Sequence, residues 1–275
     1  MGLRFTKMHG AGNDFVIVDC RDHPLVLDTA AIARFGDRHF GVGFDQLLTI
    51  ERSGDASCAF AYGIFNQDGH RAKQCGNGVR CVAAWLHRDG TLGAGATRLS
   101  SPSGAIAVEM LAGGRVRAGM GVPRFAPQDV PLDLSPAEPY RVRLGDAEIE
   151  FGAVSMGNPH AVIEVADVAA APLSTLGAAL SSDRHFPQGA NVGFVQVIDR
   201  GHVRLRVWER GAGATLACGT GACAAIAVLR RRGKVDADVA VDLPGGTLQI
   251  GWPGEGRELS MTGPAEFVFE GDYCA

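Results

Sequence analysis

Cys75-Gly76-Asn77-Gly78-Val79-Arg80-Cys81 and Cys218-Gly219-Thr220-Gly221-Ala222-Cys223 are two versions of one pattern, and the match between their surroundings decides the fold class. Asn66 lies nine residues before Cys75, and Glu209 lies nine before Cys218. Further out, Gly12-Asn13-Asp14-Phe15-Val16-Ile17-Val18-Asp19 lines up with Gly157-Asn158-Pro159-His160-Ala161-Val162-Ile163-Glu164. Each is a glycine-asparagine turn, an apolar run and an acid. Asn13 precedes Cys75 by 62 residues and Asn158 precedes Cys218 by 60. With 38 glycines, chance resemblance between turns is common, but agreement over some 60 residues is not a property of composition. Two matching halves predict a pseudo-twofold α/β molecule of two lobes, with the active site in the cleft between them.

Local patterns fill in the lobes. Leu3–Lys7 and Phe15–Asp19 read as strands flanking the turn 9–13, Thr29–His39 as a first helix, and Gln46–Glu51 and Ala56–Phe65 as further strands. Gly78–Arg88 carries apolar Val79, Val82, Ala83, Trp85 and Leu86 at helical spacing, and Arg98–Met110 returns to strands. The stretch 121–139 holds five prolines, which excludes a helix interior or a central strand and marks the crossing into the second lobe. The expected domains are therefore 1–118 and 119–263.

At 275 residues, with 46% hydrophobic and 20% charged, the chain is long and apolar enough for two globular domains. A formal charge of −4 supplies no positive field for a phosphate backbone, so no nucleic-acid partner is expected. No run reaches the 18 or so apolar residues a membrane helix needs, and no signal peptide is apparent. Seven cysteines, an odd count in a long chain, argue against a disulfide scaffold and for a reducing compartment, so the expected location is cytoplasmic.

A cysteine just before a helix meets unpaired N–H groups and the positive end of the helix dipole. Both favour the thiolate and are expected to lower the thiol pKa from about 8.5 toward neutrality. Glycines in the first turn leave the same N–H groups open to a carboxylate. Each half thus offers a base beside an anion site, and two facing thiols could take a proton from one side of a carbon and return one on the other. The intervals Cys75–Cys81 and Cys218–Cys223 do not match zinc spacing, so no metal is expected. Neither turn is a phosphate-binding loop, and only Lys7, Lys73 and Lys234 are available for a pyridoxal Schiff base. A Cys-His hydrolase leaves the duplicate unexplained. Buried, inert turn cysteines remain an alternative, and Cys20, Cys58, Cys81, Cys223 and Cys274 read as core or surface thiols.

Further motifs extend the pattern along nearly the whole chain: Met8-His9-Gly10-Ala11-Gly12-Asn13-Asp14-Phe15, Asn66-Gln67-Asp68-Gly69, Met156-Gly157-Asn158-Pro159-His160, Gly189-Ala190-Asn191-Val192-Gly193-Phe194 and Trp208-Glu209-Arg210-Gly211. Together with both cysteine turns, they resemble the diaminopimelate epimerase family. His70-Arg71 departs from the Ser-Glu that the family usually places there. The resemblance implies two pseudo-symmetric lobes, each a curved mixed sheet around a central helix, with a C-terminal strand in 264–275 returning to the first lobe. It implies cofactor-independent interconversion of LL- and meso-2,6-diaminopimelate by an acid/base pair, Cys75 and Cys218. The N–H groups of Gly76, Asn77, Gly219 and Thr220 would hold the reacting carboxylate, and Asn13, Asn66, Asn158, Asn191 and Arg210 the distal end. Gln46, Glu209 and His160 would orient the thiols or the reacting ammonium. A homodimer is implied as well. Proline racemase-like and phenazine-biosynthesis isomerase-like relatives share the two-lobed architecture, and a non-catalytic redox sensor is the reading from a different class.

Overall fold

In the computed structural model, residues 2–72 and 75–274 are described; Lys73, one of the three lysines, lies outside them. The chain divides into two compact units, Met1–Gly119 with Thr262–Ala275, and Met120–Met261.

The first unit contains β1 (Leu3–Gly10), β2 (Asn13–Asp19), α1 (Thr29–Gly36), β3 (Gln46–Arg52), β4 (Phe60–Asn66), α2 (Gly76–Arg88), β5 (Gly95–Ser101), β6 (Gly104–Met110) and β7 (Val116–Gly119). The second contains β8 (Tyr140–Leu144), β9 (Ala147–Ser155), β10 (Pro159–Glu164), α3 (Ala178–Ser181), β11 (Asn191–Asp199), β12 (His202–Glu209), β13 (Gly213–Thr215), α4 (Gly219–Arg231), β14 (Asp238–Leu243) and β15 (Gly246–Gly251). β16 (Ser260–Gly263) crosses the boundary, and β17 (Glu266–Tyr273) pairs antiparallel with β1.

Strand pairing repeats in the two units. β1–β2 is antiparallel, β2–β3 parallel, β3–β4 antiparallel, β4–β5 parallel and β5–β6 antiparallel. β9–β10, β10–β11, β11–β12, β12–β14 and β14–β15 follow the same alternation. Each parallel pair requires a crossover, and helices supply it: α1 between β2 and β3, α2 between β4 and β5, α3 between β10 and β11, α4 between β12 and β14. The internal repeat read from the cysteine turns is therefore a repeat of topology.

The central helices are covered almost all round, as a helix wrapped by a curved sheet must be. In α2 every residue from Gly76 to Ala84 is buried, with Leu86, and in α4 every residue from Gly221 to Leu229. Full burial of Val79, Val82 and Leu86 contributes roughly 1.5–3 kcal/mol each. Trp85 sits at the margin and donates its indole N–H to Thr6 on β1 at 3.0 Å.

Two elements are cut short relative to expectation, while β1, β2, α2 and β5 extend beyond it. The first helix stops at Gly36 and does not reach His39, because the Asp37 carboxylate accepts from the backbone N–H of His39 and Phe40 and closes a turn there. β4 begins at Phe60 and not Ala56, since Ser57 N–H donates to the Asp55 side chain and Cys58 N–H to the Asp55 carbonyl. The proline-rich stretch 121–139 contains no helix or named strand.

Candidate active site

In both units the same end of the sheet carries the same kinds of side chain. Gly12 (φ +86°) and Gly157 (φ +90°) make the left-handed turns that launch β2 and β10, a conformation that costs a glycine little. Asn13 opens β2, Gln46 opens the parallel strand β3, Asn66 ends β4, and Cys75 caps α2. Asn158 stands just before β10, Asn191 opens β11, Glu209 ends β12, and Cys218 caps α4. Parallel and antiparallel alternation thus brings residues far apart in sequence to one edge, next to a helix N-terminus.

In the first unit Cys75 has extended backbone, and its Sγ accepts from the N–H of Gly78 at 3.4 Å. Asn13 Oδ1 lies 3.7 Å from the same sulfur and accepts its S–H, and Asn77 Nδ2 reaches that Oδ1 at 3.5 Å. Behind Asn13, Asp45 Oδ2 accepts from Asn13 Nδ2 at 2.6 Å. Behind Asn77, the fully buried Arg80 donates to Asn77 Oδ1 at 2.9 Å and also to the carbonyls of Gly76 and Pro264. Gln46 Nε2 donates to Asn66 Oδ1 at 3.0 Å, while Gln46 Oε1 is buried without a partner. An unsatisfied buried acceptor costs about 1–3 kcal/mol, which a ligand N–H would relieve.

A charge network backs this edge. Asp14 lies between Lys7 (2.5 Å) and Arg38 (2.7 Å), and Arg38 also reaches Asp45 (2.8 Å). Burial by itself raises the Asp14 carboxyl, but hydrogen bonds from Arg38 and Lys7 outweigh it and hold the group at about 2.

In the second unit Cys218 is 4% exposed, with Thr220 Oγ1 at 3.6 Å from its sulfur. Here the sequence-based expectation of a lowered thiol pKa is corrected. Burial, followed by the nearby Glu209 carboxylate, pushes the Cys218 thiol well up, and hydrogen bonding to Thr220 and the Gly221 N–H only partly opposes them. Glu209 accepts from Thr215 Oγ1 at 2.6 Å and from the thiol itself. His160, 1% exposed, has Nε2 3.0 Å from Asn158 Oδ1 and 3.5 Å from Asn191 Nδ2. Burial, with the Arg210 charge added, pushes His160 down to about 3, so it is a neutral imidazole at pH 7. Asn158 Nδ2 lies 3.5 Å from Thr220 Oγ1. Arg210 N–H donates to Asn191 Oδ1 at 2.9 Å, and its guanidinium donates to the Gln188 carbonyl. Gly189 lets Arg210 pass, since a Cβ there would stand 2.9 Å from Arg210 Cδ.

All the site residues named from sequence fall on these two edges. Direct contacts join Asn13, Cys75 and Asn77; Gln46 and Asn66; and Asn158, His160, Asn191 and Thr220. Sequence reasoning missed Asp45, Arg80 and Thr215. Arg80 was findable, because it stands one helical turn after Asn77 inside the first motif. Asp45 and Thr215 lie in unremarkable local sequence and meet their partners only through the fold. His70-Arg71 closes the turn after β4, with the His70 carbonyl accepting from Asn66 N–H and Arg71 stacked on Phe65 at 4.8 Å.

Set against known families, residues 5–126 and 152–268 match the model of the diaminopimelate epimerase family. The chain belongs to that family. A diaminopimelate epimerase of Xanthomonas euvesicatoria pv. vesicatoria is 55% identical over 273 residues, covering 98% of this chain and 96% of that one. One of Xylella fastidiosa is 51% identical over 271 residues, covering 98% and 95%. Among solved structures, a hydroxyproline epimerase from Agrobacterium vitis aligns with TM-score 0.70 at 16% identity, covering 98% of this chain and 92% of that one. A phenazine-biosynthesis family protein from Bacillus anthracis aligns with TM-score 0.72 at 15% identity, covering 100% of both. These two likenesses concern the fold, and they bear out the sheet-rich two-lobe α/β class expected for a diaminopimelate epimerase.

Proposed function

We propose that this chain interconverts LL- and meso-2,6-diaminopimelate without a cofactor, with Cys75 and Cys218 as the paired acid and base, in the supply of lysine and peptidoglycan precursors. The observation that carries the residue assignment is the duplication itself: two cysteines, each capping a buried helix at the same point of a repeated topology, each with an acceptor on its S–H. One sulfur, as thiolate, takes the α-proton, and the C–H electron pair is left on the carbon and its carboxylate. The other, as thiol, delivers a proton to the opposite face, so the stereocentre inverts with no net change in atoms or charge. The developing charge rests on the carboxylate, for which the N–H groups of Gly76, Asn77, Gly219 and Thr220, at the starts of two helices, are suited donors.

The other residues hold the rest of the substrate. Asn13, Asn66, Asn158, Asn191 and Arg210 bind the distal amino-acid end, Arg210 by two parallel hydrogen bonds to its carboxylate. Gln46, with its unsatisfied Oε1, and Glu209 suit an ammonium group, and His160 orients its asparagine neighbours. Among the described residues no helix is long and apolar enough to cross a membrane, and we place the enzyme in the cytoplasm. β17 leaves Phe267, Val268 and Phe269 exposed, a strip suited to a second copy of the chain, so sedimentation at the dimer mass is expected.

The test is incubation with LL-diaminopimelate in deuterated water. The meso isomer should appear with one solvent deuteron at the inverted carbon, and Cys75→Ala and Cys218→Ala should each lower the rate by roughly a thousandfold or more. Turnover of free proline with none of diaminopimelate would overturn the substrate assignment. Near-normal epimerisation in either alanine variant would overturn the two-base one.

A further inference from the structure

The Asn13 and Asn77 side chains could each face either way, since an amide presents an acceptor at one corner and a donor at the other. Charged neighbours remove the choice. The Asp45 carboxylate only accepts, so the corner of Asn13 that lies 2.6 Å from it must be Nδ2. The Arg80 guanidinium only donates, so the corner of Asn77 that lies 2.9 Å from it must be Oδ1. With the outer corners fixed, the inner ones follow. Asn77 turns Nδ2 toward Asn13, and Asn13 turns Oδ1 toward Asn77 and the Cys75 sulfur. Asp45 is held in turn by Arg38, which with Lys7 also grips Asp14, and the Asp14 N–H donates to Asp45 Oδ2 at 3.1 Å.

We propose that Asp45 is a positioning residue that fixes the polarity of the Asn13 amide, so that Asn13 presents an acceptor, and not a donor, to the Cys75 thiol. An acceptor engages the S–H and keeps Cys75 protonated and aimed until substrate arrives. A donor in the same place would stabilise the thiolate in the empty site. The role deepens the proposed function and rests on it for its catalytic meaning, but its test does not depend on turnover.

Cys75 has Tyr62 on β4 and Cys81 on α2 as ionisable neighbours, with Lys7 on β1, Asp14 on β2, Arg38 after α1 and Asp45 before β3 behind Asn13, Arg80 on α2 behind Asn77, and Arg80 and Glu266 on β17 acting on Cys81. Removing Asp45 therefore also removes a negative charge, and a double-mutant cycle separates that effect from the amide. The full-length protein is treated with iodoacetamide across a pH series, and alkylation of Cys75 is followed by peptide mapping. In Asp45→Ala the alkylation midpoint should fall by about one pH unit, because only the long 3.5 Å contact from Asn77 Nδ2 then opposes a turn of the Asn13 donor to sulfur. Asp45→Glu, which keeps the acceptor, should restore most of it. In an Asn13→Ala background the Asp45→Ala shift should shrink to the part due to the lost charge. An unchanged midpoint in Asp45→Ala, or the same shift with and without Asn13, overturns the proposal. Should Asp45→Ala not fold, Asp45→Leu, close to Asp in shape but without an acceptor, carries the same comparison. Failure of the wild type to turn over diaminopimelate would sink the function and leave the Asp45 result standing.

Discussion

Acid should destabilise this protein through a single buried imidazole well before its carboxylates are protonated. His160 is 1% exposed and is pushed down to about 3 from 6.5. Below pH 6.5 the unfolded chain binds a proton at His160 and the folded chain does not, so stability falls with pH until the folded value is reached near 3. At 1.36 kcal/mol per unit, the loss between pH 7.5 and pH 5 is about 2 kcal/mol. Asp14, held at about 2, contributes stability that is full above its ordinary 3.8 and is lost below it, so it does not act in the range from pH 7.5 to pH 5. The perturbation is His160→Gln, which leaves an amide for Asn158 and Asn191 to bond but no group that titrates. Urea unfolding at pH 7.5 and pH 5 should find the wild type ahead at the higher pH, and its lead reduced by about 2 kcal/mol at the lower one. If the two proteins lose stability in parallel over that range, His160 is charged in the folded state or accessible to solvent, and the reasoning from burial is wrong.

Two further outcomes follow from the geometry of the second unit. A Cβ on Gly221 would stand 3.0 Å from Val207 Cγ2 and 3.3 Å from the Cys218 sulfur, so Gly221→Ala should lower kcat by tenfold or more on account of thiol displacement, while unfolding free energy drops by only about 1–3 kcal/mol; a loss of stability with full kcat would refute it. Arg210→Lys keeps the charge but loses the planar fork, and should raise KM and lower kcat together without changing the alkylation rate of Cys75; retained kcat/KM on LL-diaminopimelate would remove Arg210 from the distal carboxylate.

The fold was legible from spacing more than from composition. A repeat of two 60-residue intervals fixed which strands correspond, and the pairing order of β1–β6 and of β9–β12, β14 and β15 is its physical content. Element ends were less legible. At Asp37 and Asp55 a side chain takes backbone N–H groups that a longer helix or strand would have used, and no periodicity announces that competition. The site residues with a counterpart in both halves were visible in sequence. Those that orient them from behind were not, because Asp45 meets Asn13 across 32 residues and its identity makes sense only once β2 and β3 lie side by side.

Cys218 illustrates where magnitudes decide the outcome. A helix N-terminus favours a nearby anion by about 0.3–1 kcal/mol, and up to about 2 in partly buried settings. Complete burial disfavours it by up to several pKa units, each about 1.4 kcal/mol, and the Glu209 carboxylate acts in the same direction. Burial therefore wins in the empty site, and the thiol stays protonated. A substrate ammonium about 4 Å from the sulfur would contribute about 4 kcal/mol at an effective dielectric of 20, equivalent to roughly three pKa units. That is enough to offset much of the burial term while the helix N–H groups hold the carboxylate. On the proposed assignment, ionisation of Cys218 is then coupled to binding: burial keeps this thiol protonated in the empty site, and the thiolate forms with the ligand that uses it.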